Sequence, residues 1–144
     1  MNQNVLNQIR SLSNSQKAEL LDLLEEYEDA KQRELSHDNY LNFVQEMWSA
    51  FIHGKHHEIM AEAFEKVAKG EIKRLIINMP PRHTKSEFAS YLLPAWFLGR
   101  SPDKKIIQTA HTAELAVGFG RKVRNLVNSK DYKRRFPDVS LQAD

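Results

Sequence analysis

The chain has 144 residues and a net charge of +2, with 41% apolar and 28% charged residues, a composition typical of a globular domain and not of a disordered chain. It contains no cysteine, which excludes a disulfide framework and a thiolate metal site. No apolar run approaches the ~18 residues of a membrane span, and the N-terminal sequence shows no secretory signal.

Charge is distributed unevenly along the chain. Residues 1–38 carry four basic and eight acidic side chains, whereas residues 99–136 carry ten basic and three acidic ones. A basic C-terminal third favours a polyanionic partner, although a solvated lysine-rich face would have the same composition.

The acidic N-terminal segment is predicted to be one helix. Leucines recur at helical spacing over residues 13–34, and Ser13 with Gln16 forms a possible capping box at the start. Residues 35–39, with the sequence LSHDN, are the expected break. We therefore expect an acidic helical segment over residues 1–38 and a separate domain over residues 39–144.

The periodicity changes near the middle of the chain. Helical patterns over residues 40–52 and 57–70 are followed by Gly70, which is expected to end the second helix. The sequence KRLIINM at residues 73–79 is a short apolar run rich in β-branched residues, bounded by Gly70 and Pro80. Such a run indicates a buried strand.

The same strand and helix signals then repeat. Residues 86–99 read as a helix, in which Pro94 is able either to introduce a kink or to start a new turn. Residues 103–111 read as a second strand, and residues 112–129 as a helix capped by Thr112. The order strand, helix, strand, helix predicts a parallel βαβ unit. The predicted fold class is therefore α/β, with N-terminal helices preceding a parallel sheet.

The stretch NMPPRHTKSE, between the first predicted strand and its helix, has the layout of a phosphate-binding loop. The usual pattern is G-x-x-x-x-G-K-[ST], in which backbone N–H groups hold phosphates, the Lys neutralises them and the Ser or Thr binds Mg²⁺. Lys85 and Ser86 are present, but Met79 and Thr84 replace the two glycines. If position 84 requires a positive φ, its β-branched residue is strained. A proline-stiffened turn with an exposed lysine is the open alternative.

The sequence RLIINMPPRHTKSEFASYLLPAWFLGRSPDKKIIQTAHTAELAVGFGRKVRNLV resembles the start of the ATPase domain of tailed-phage terminase large subunits, the motors that package viral DNA. That family often has a glycine-poor loop, an AW-LG stretch and a motif like FGRKVR at similar spacing. The resemblance is strong over residues 71–136. It implies the incomplete parallel sheet of a P-loop NTPase of the ASCE or RecA-like type, with ATP and Mg²⁺ as cofactors.

The resemblance implies roles for the loop residues. Lys85 would contact the β- and γ-phosphates, and Ser86 would bind Mg²⁺. Arg82, His83 and Thr84 would supply backbone donors. Arg82 is also a candidate for charge stabilisation at the γ-phosphate, with pairing to a carboxylate or to DNA as the alternative.

The upstream stretch FIHGKHH lies where such motors often contact adenine, so Phe51, His56 or His57 is expected to stack on or hydrogen-bond the base. Ordinary packing is the alternative, and a metal site at His53 and His57 is a weaker one. Trp48, Phe51 and Phe64 are expected in the core.

Polar and basic residues follow the second predicted strand. Thr109 and His111 would lie at its carboxyl end, where ligand sites of open α/β sheets collect. A further group of basic side chains is predicted to meet DNA phosphates, unless it is a solvated helix face. The residues are Arg121, Lys122 and Arg124, with Lys133, Arg134 and Arg135 further along.

No strand ending in paired carboxylates, which would complete the hydrolytic site, follows Ser86. We expect the chain to be the N-terminal part of a terminase ATPase, without its Walker B half and nuclease domain, and inactive alone. The implied partners are double-stranded viral DNA, a portal protein, a small terminase subunit and further copies in a ring, without membrane, in the cytoplasm of an infected bacterium. A helicase-like or nucleotide-kinase-like P-loop NTPase and a non-catalytic nucleic-acid- or partner-binding module are the alternatives.

Overall fold

The computed structural model describes residues 9–141. The chain divides into two compact units, Met1–Gln32 and Arg33–Asp144. It is 65% helical and has no β-strand among the described residues, so the predicted α/β class with a parallel P-loop sheet is wrong. No helix of the described part is long and apolar enough to cross a membrane.

Helix α1 (Asn14–Asp38) is the acidic helix expected at the N-terminus. The capping box is confirmed, since the Ser13 N–H donates to Gln16 Oε1 at 3.0 Å and the Gln16 N–H donates to Ser13 Oγ at 3.2 Å. The helix continues four residues beyond the predicted end. The leucine-rich stripe is exposed, with Leu21 at 59% and Tyr27 at 65% of their full accessible area.

Helices α2 (Tyr40–Met47) and α3 (Lys55–Ala68) follow. The Asn39 side chain caps α2 by accepting from the Asn42 N–H at 2.9 Å. Gly70 has φ +79° just beyond α3, which confirms its predicted role because only glycine adopts this conformation without strain.

The two predicted strands, residues 73–79 and 103–111, are irregular segments without strand pairing. Within residues 9–141, no backbone hydrogen bond joins them to each other. Ile76 is 86% and Ile107 is 91% exposed, so neither segment has the apolar cover on both faces that a buried parallel strand requires. Both segments have the apolar, β-branched side chains that favour strands. A strand also requires a neighbouring strand whose backbone groups form hydrogen bonds with it.

A π-helical turn (Glu87–Leu92) leads directly into helix α4 (Leu93–Arg100). Pro94 has no N–H and cannot donate to the Ser90 carbonyl one turn earlier. The Gln108 side-chain amide donates to that carbonyl instead, and the Leu93 N–H donates to the Phe88 carbonyl in the wider π spacing. The helical path thus continues from the π turn into α4, with Pro94 in the first turn of α4.

Helix α5 (Ala113–Val127) begins as predicted, with the Thr112 hydroxyl accepting from the Leu115 N–H at 3.3 Å. Helix α6 (Lys130–Arg135), capped by Ser129, was not predicted. It is short, and its sequence KDYKRR shows little apolar periodicity.

An aromatic core is formed by residues of α2, α3, the π turn, α4, α5 and α6. Met79, at the start of the loop of residues 79–87, packs against it. Three buried polar groups are satisfied within it: the Tyr40 hydroxyl donates to the Phe88 carbonyl, the Tyr132 hydroxyl to the Ala95 carbonyl at 2.8 Å, and the Trp96 indole to the Ser36 carbonyl at 2.8 Å. Burial raises the pKa of both tyrosines, so both stay neutral donors. The core residues are Tyr40, Phe43, Val44, Met60, Ala61, Phe64, Phe88, Leu92, Ala95, Trp96, Val123, Leu126, Val127, Tyr132 and Phe136.

Candidate phosphate-binding loop

Nine consecutive residues, 79–87, curl around a cavity of about 410 Å³. These residues are the whole of the sequence motif, from Met79 to Ser86, together with Glu87. The stretch reaches the cavity from an irregular segment and leaves it as a helix, because the Phe88 N–H donates to the Thr84 carbonyl at 2.9 Å and opens the first helical turn. The cavity therefore lies at a helix N-terminus.

The loop backbone has a left-handed conformation at two residues. Arg82 has φ +64° and Thr84 has φ +57°. Such a conformation is strained for a β-branched residue such as Thr84, by about 1–3 kcal/mol. Within residues 9–141, the N–H groups of Arg82, His83 and Thr84 donate to no protein acceptor. Successive free N–H groups around a left-handed turn are typical of anion-binding loops.

The side chains of the motif add positive charge and a free hydroxyl. Lys85 lines the cavity, is half-buried, and forms no ion pair among the described residues. Ser86 is exposed and its hydroxyl makes no cap hydrogen bond. Arg82 and His83 are exposed at the cavity rim, and His83 Nδ1 lies 2.9 Å from the Pro81 carbonyl oxygen, to which it donates.

His57 holds the loop from behind rather than facing a ligand. It is 2% exposed, its Nε2 lies 2.7 Å from Thr84 Oγ1, and its Nδ1 accepts from the Gly54 N–H at 3.1 Å. Burial, together with the charges that His56 and His53 would carry, lowers the pKa of His57 to about 4. Its ring is therefore neutral near pH 7, and both nitrogens are already bonded.

The predicted adenine contacts have different surroundings. The ring of Phe51 packs edge-on against the ring of His57, with centroids 4.7 Å apart, and stacks with the ring of Phe88, with centroids 6.0 Å apart. His56 lines a separate cavity of about 250 Å³ beside residues 75–79, and its Nε2 is buried without a hydrogen-bond partner among the described residues. A base contact stays a prediction, and the bonded ring of His57 does not support it there.

Phe64 is buried, and Trp48 and Phe51 pack at the edge of the core. Among the described residues, no group of three His, Asp or Glu side chains is arranged to hold a metal ion.

The basic residues of α5 divide into paired and unpaired ones. Lys122 Nζ lies 2.7 Å from Glu87 Oε1, so a residue of the predicted DNA-binding group is bonded to the end of the loop. Arg121 and Arg124 are exposed and form no ion pair within residues 9–141. His111 lies beside Arg121, Lys122 and Glu87 around a cavity of about 660 Å³.

The other predicted polar and basic residues lie elsewhere. Thr109 is exposed, and Lys133 Nζ donates to Asn128 Oδ1 at 2.7 Å. The Arg134 carbonyl accepts from Arg33, and Arg135 is bonded to Glu46 at 2.8 Å with both side chains largely buried. Arg135 therefore has a structural role.

Two contacts of the site were not predicted from the sequence. Glu87 and Lys122 are 35 residues apart, and His57 and Thr84 are 27 residues apart. No local pattern links either pair. One signal in the sequence pointed to such a support: Thr84 occupies a position where the usual motif has glycine, which indicated backbone strain there.

No protein-family model, no curated protein and no solved structure matches the chain. The resemblance to terminases consequently depends on the residues of the motif and its surroundings alone.

Proposed function

We propose that this chain binds the phosphates of a nucleoside triphosphate in the loop of residues 79–87, as part of a viral DNA-packaging ATPase. The observation that carries the proposal is the row of backbone N–H groups from Arg82 to Thr84, which have no acceptor within residues 9–141 and lie at the N-terminus of a helix. They surround a cavity lined by Lys85, which is also unpaired within that range. Helix N-termini and such N–H groups favour anions. The terminase-like sequence supports ATP as the ligand.

The residues around the cavity fit a phosphate group. One of them, Ser86, also offers a hydroxyl oxygen to the magnesium ion of the nucleotide. Lys85 would neutralise the phosphate charge, Arg82 would approach from the rim, and the free hydroxyl of Ser86 would bind Mg²⁺ held by the nucleotide. When bound, Mg²⁺ neutralises developing charge on the phosphates.

Hydrolysis has weaker support than binding. Glu87 is the one carboxylate among the residues that line the loop cavity, and it is paired with Lys122. A carboxylate engaged in this way is a poor candidate for orienting an attacking water. Nucleotide affinity is therefore the property to measure first.

We predict that ATP binds the wild-type chain and that Lys85→Ala weakens binding at least about tenfold, the size of one lost charge-assisted contact. Isothermal titration calorimetry measures the affinities directly. Lys104→Ala is the matched control, because it removes an exposed lysine outside the loop, which pairs with Asp103 at 3.5 Å. Equal affinities for the wild type and Lys85→Ala would contradict the assignment, as would competition by adenosine equal to that by ADP.

We further propose that double-stranded DNA contacts the α5 face through Arg121 and Arg124. Both side chains are exposed and unpaired among the described residues, and backbone contacts of this kind suit a motor that handles any sequence. Contacts to a portal protein, a small subunit and further copies remain predictions from the terminase resemblance.

The double variant Arg121→Ala/Arg124→Ala should bind DNA more weakly and with a salt dependence lower by about two in the log–log slope, since each phosphate contact contributes about 0.9. Fluorescence anisotropy at several salt concentrations gives this slope. Lys31→Ala, which removes an exposed charge of α1, should leave it unchanged. If the double variant has the same salt dependence as the wild type, Arg121 and Arg124 of α5 do not contact DNA phosphates.

A further inference from the structure

The left-handed conformation of Thr84 is held by a chain of three hydrogen bonds. The Gly54 N–H donates to His57 Nδ1 at 3.1 Å, His57 Nε2 lies 2.7 Å from Thr84 Oγ1, and Thr84 Oγ1 donates to the His83 carbonyl at 2.7 Å. We call this the Gly54–His57–Thr84 chain.

The direction of each bond follows from its ends. A backbone N–H only donates and a carbonyl only accepts. Nδ1 is therefore the bare nitrogen, Nε2 carries the proton, and the Thr84 hydroxyl accepts from the ring while donating to the His83 carbonyl. This assigns one neutral tautomer to His57.

The ring that makes these bonds cannot move easily. It belongs to the first turn of α3, is 2% exposed, and packs against Phe51 and Phe88, with ring centroids 4.7 Å and 5.0 Å away. Phe88 belongs to the π-helical turn (Glu87–Leu92) that follows the loop. The bonded ring thus fixes Thr84 relative to both α3 and that turn.

The Thr84 hydroxyl is bonded to His57 and to the His83 carbonyl, whereas the Thr84 N–H has no acceptor in the described part of the chain. The side chain therefore sets the backbone, and the backbone is left to bind the ligand. In the usual motif a glycine adopts this conformation without help.

We propose that His57 is a positioning residue that holds Thr84 in its left-handed conformation and so preforms the phosphate-binding loop in place of glycine. This rests on the proposed phosphate-binding function. A preformed loop binds more tightly because less ordering accompanies binding.

A double-mutant cycle separates positioning from ordinary packing. His57→Phe keeps an aromatic ring and removes the hydrogen bonds, and Thr84→Gly removes the need for them. When position 84 is Thr, we expect His57→Phe to weaken the binding of ATP and of inorganic pyrophosphate at least about tenfold. When position 84 is Gly, the same change should weaken binding less than about twofold. His57→Gln, whose amide is able to donate to Thr84, should restore part of the loss. The proposal would be overturned if His57→Phe lowered the affinity equally with Thr and with Gly at position 84, or did not lower it with Thr there.

A measurement without nucleotide keeps the test independent of the proposed function and of variants that fail to fold. Long-range proton–nitrogen NMR of the wild-type chain at neutral pH should show His57 protonated on Nε2 and bare on Nδ1. The opposite tautomer, or a charged ring, would overturn the proposal. If the expected tautomer is found but wild type binds neither ATP nor pyrophosphate, phosphate binding fails, and with it the proposed role of His57, while the hydrogen-bond chain itself stands.

Discussion

Thr84 shows how a residue unsuited to a conformation is kept in it. A β-branched side chain at φ +57° is strained by about 1–3 kcal/mol, and strain of this kind persists where the surroundings hold it. Here the surroundings are the bonded, buried ring of His57. The sequence indicated the strain through the glycine position of the motif, but not the residue that holds it.

We predict that His57 makes the chain less stable in mild acid. Its pKa is lowered from 6.5 to about 4, so below pH 6.5 the unfolded chain binds a proton at this residue and the folded chain does not. The free energy of unfolding should fall by at most about 1.4 kcal/mol per pH unit between pH 6.5 and 4 from this residue. Above pH 6.5 the residue has no such effect, and below about 4 it adds no further loss.

Urea unfolding at a series of pH values measures this slope. The informative quantity is the difference in this slope between the wild type and His57→Gln, because the two proteins share every other titratable side chain. The variant should have the flatter dependence. Identical slopes would show that the ring is not kept neutral by the fold.

Three helix ends were predicted from a cap or a stop signal: Ser13 and Thr112 cap the helices that follow them, and Gly70 follows the end of α3. Helix α6 was not predicted, although Ser129 caps it. The two predicted strands are absent from the described residues, because apolar β-branched runs specify side chains and not the neighbouring strands that would supply hydrogen-bond partners. The π turn before α4 depends on Gln108, a residue well separated from Pro94 along the chain.

Close packing of α4 against Phe136 gives a prediction for Gly99. A Cβ at this position would lie 2.7 Å from three ring atoms of Phe136, which is only 4% exposed. Gly99→Ala should therefore lower the free energy of unfolding by about 1–3 kcal/mol, as measured by urea denaturation.

Gly120→Ala is the matched control within α5. Nothing lies within 4 Å of a Cβ added there, so the change should stabilise the chain by about 0.5–1 kcal/mol through helix propensity. A Gly99→Ala variant as stable as wild type would show that the ring of Phe136 moves aside.

As a whole, the described chain joins a helical, aromatic core to the loop of residues 79–87 without the sheet that the motif predicted. The loop is positioned by helices instead: α3 through His57, and α5 through the Lys122–Glu87 pair at 2.7 Å. The motif could be found from the sequence because its residues are adjacent. Its supports could not, because they come from distant parts of the chain and are set by packing.

The most direct test of the account is an NMR titration of the wild-type chain with inorganic pyrophosphate and with ATP. We predict that the largest amide shifts fall at residues 82–86, because their N–H groups would exchange water for phosphate oxygens, and that Lys85→Ala reduces those shifts. Unchanged amides at residues 82–86, with shifts confined to the basic face of α5, would contradict the claim that this loop binds phosphate.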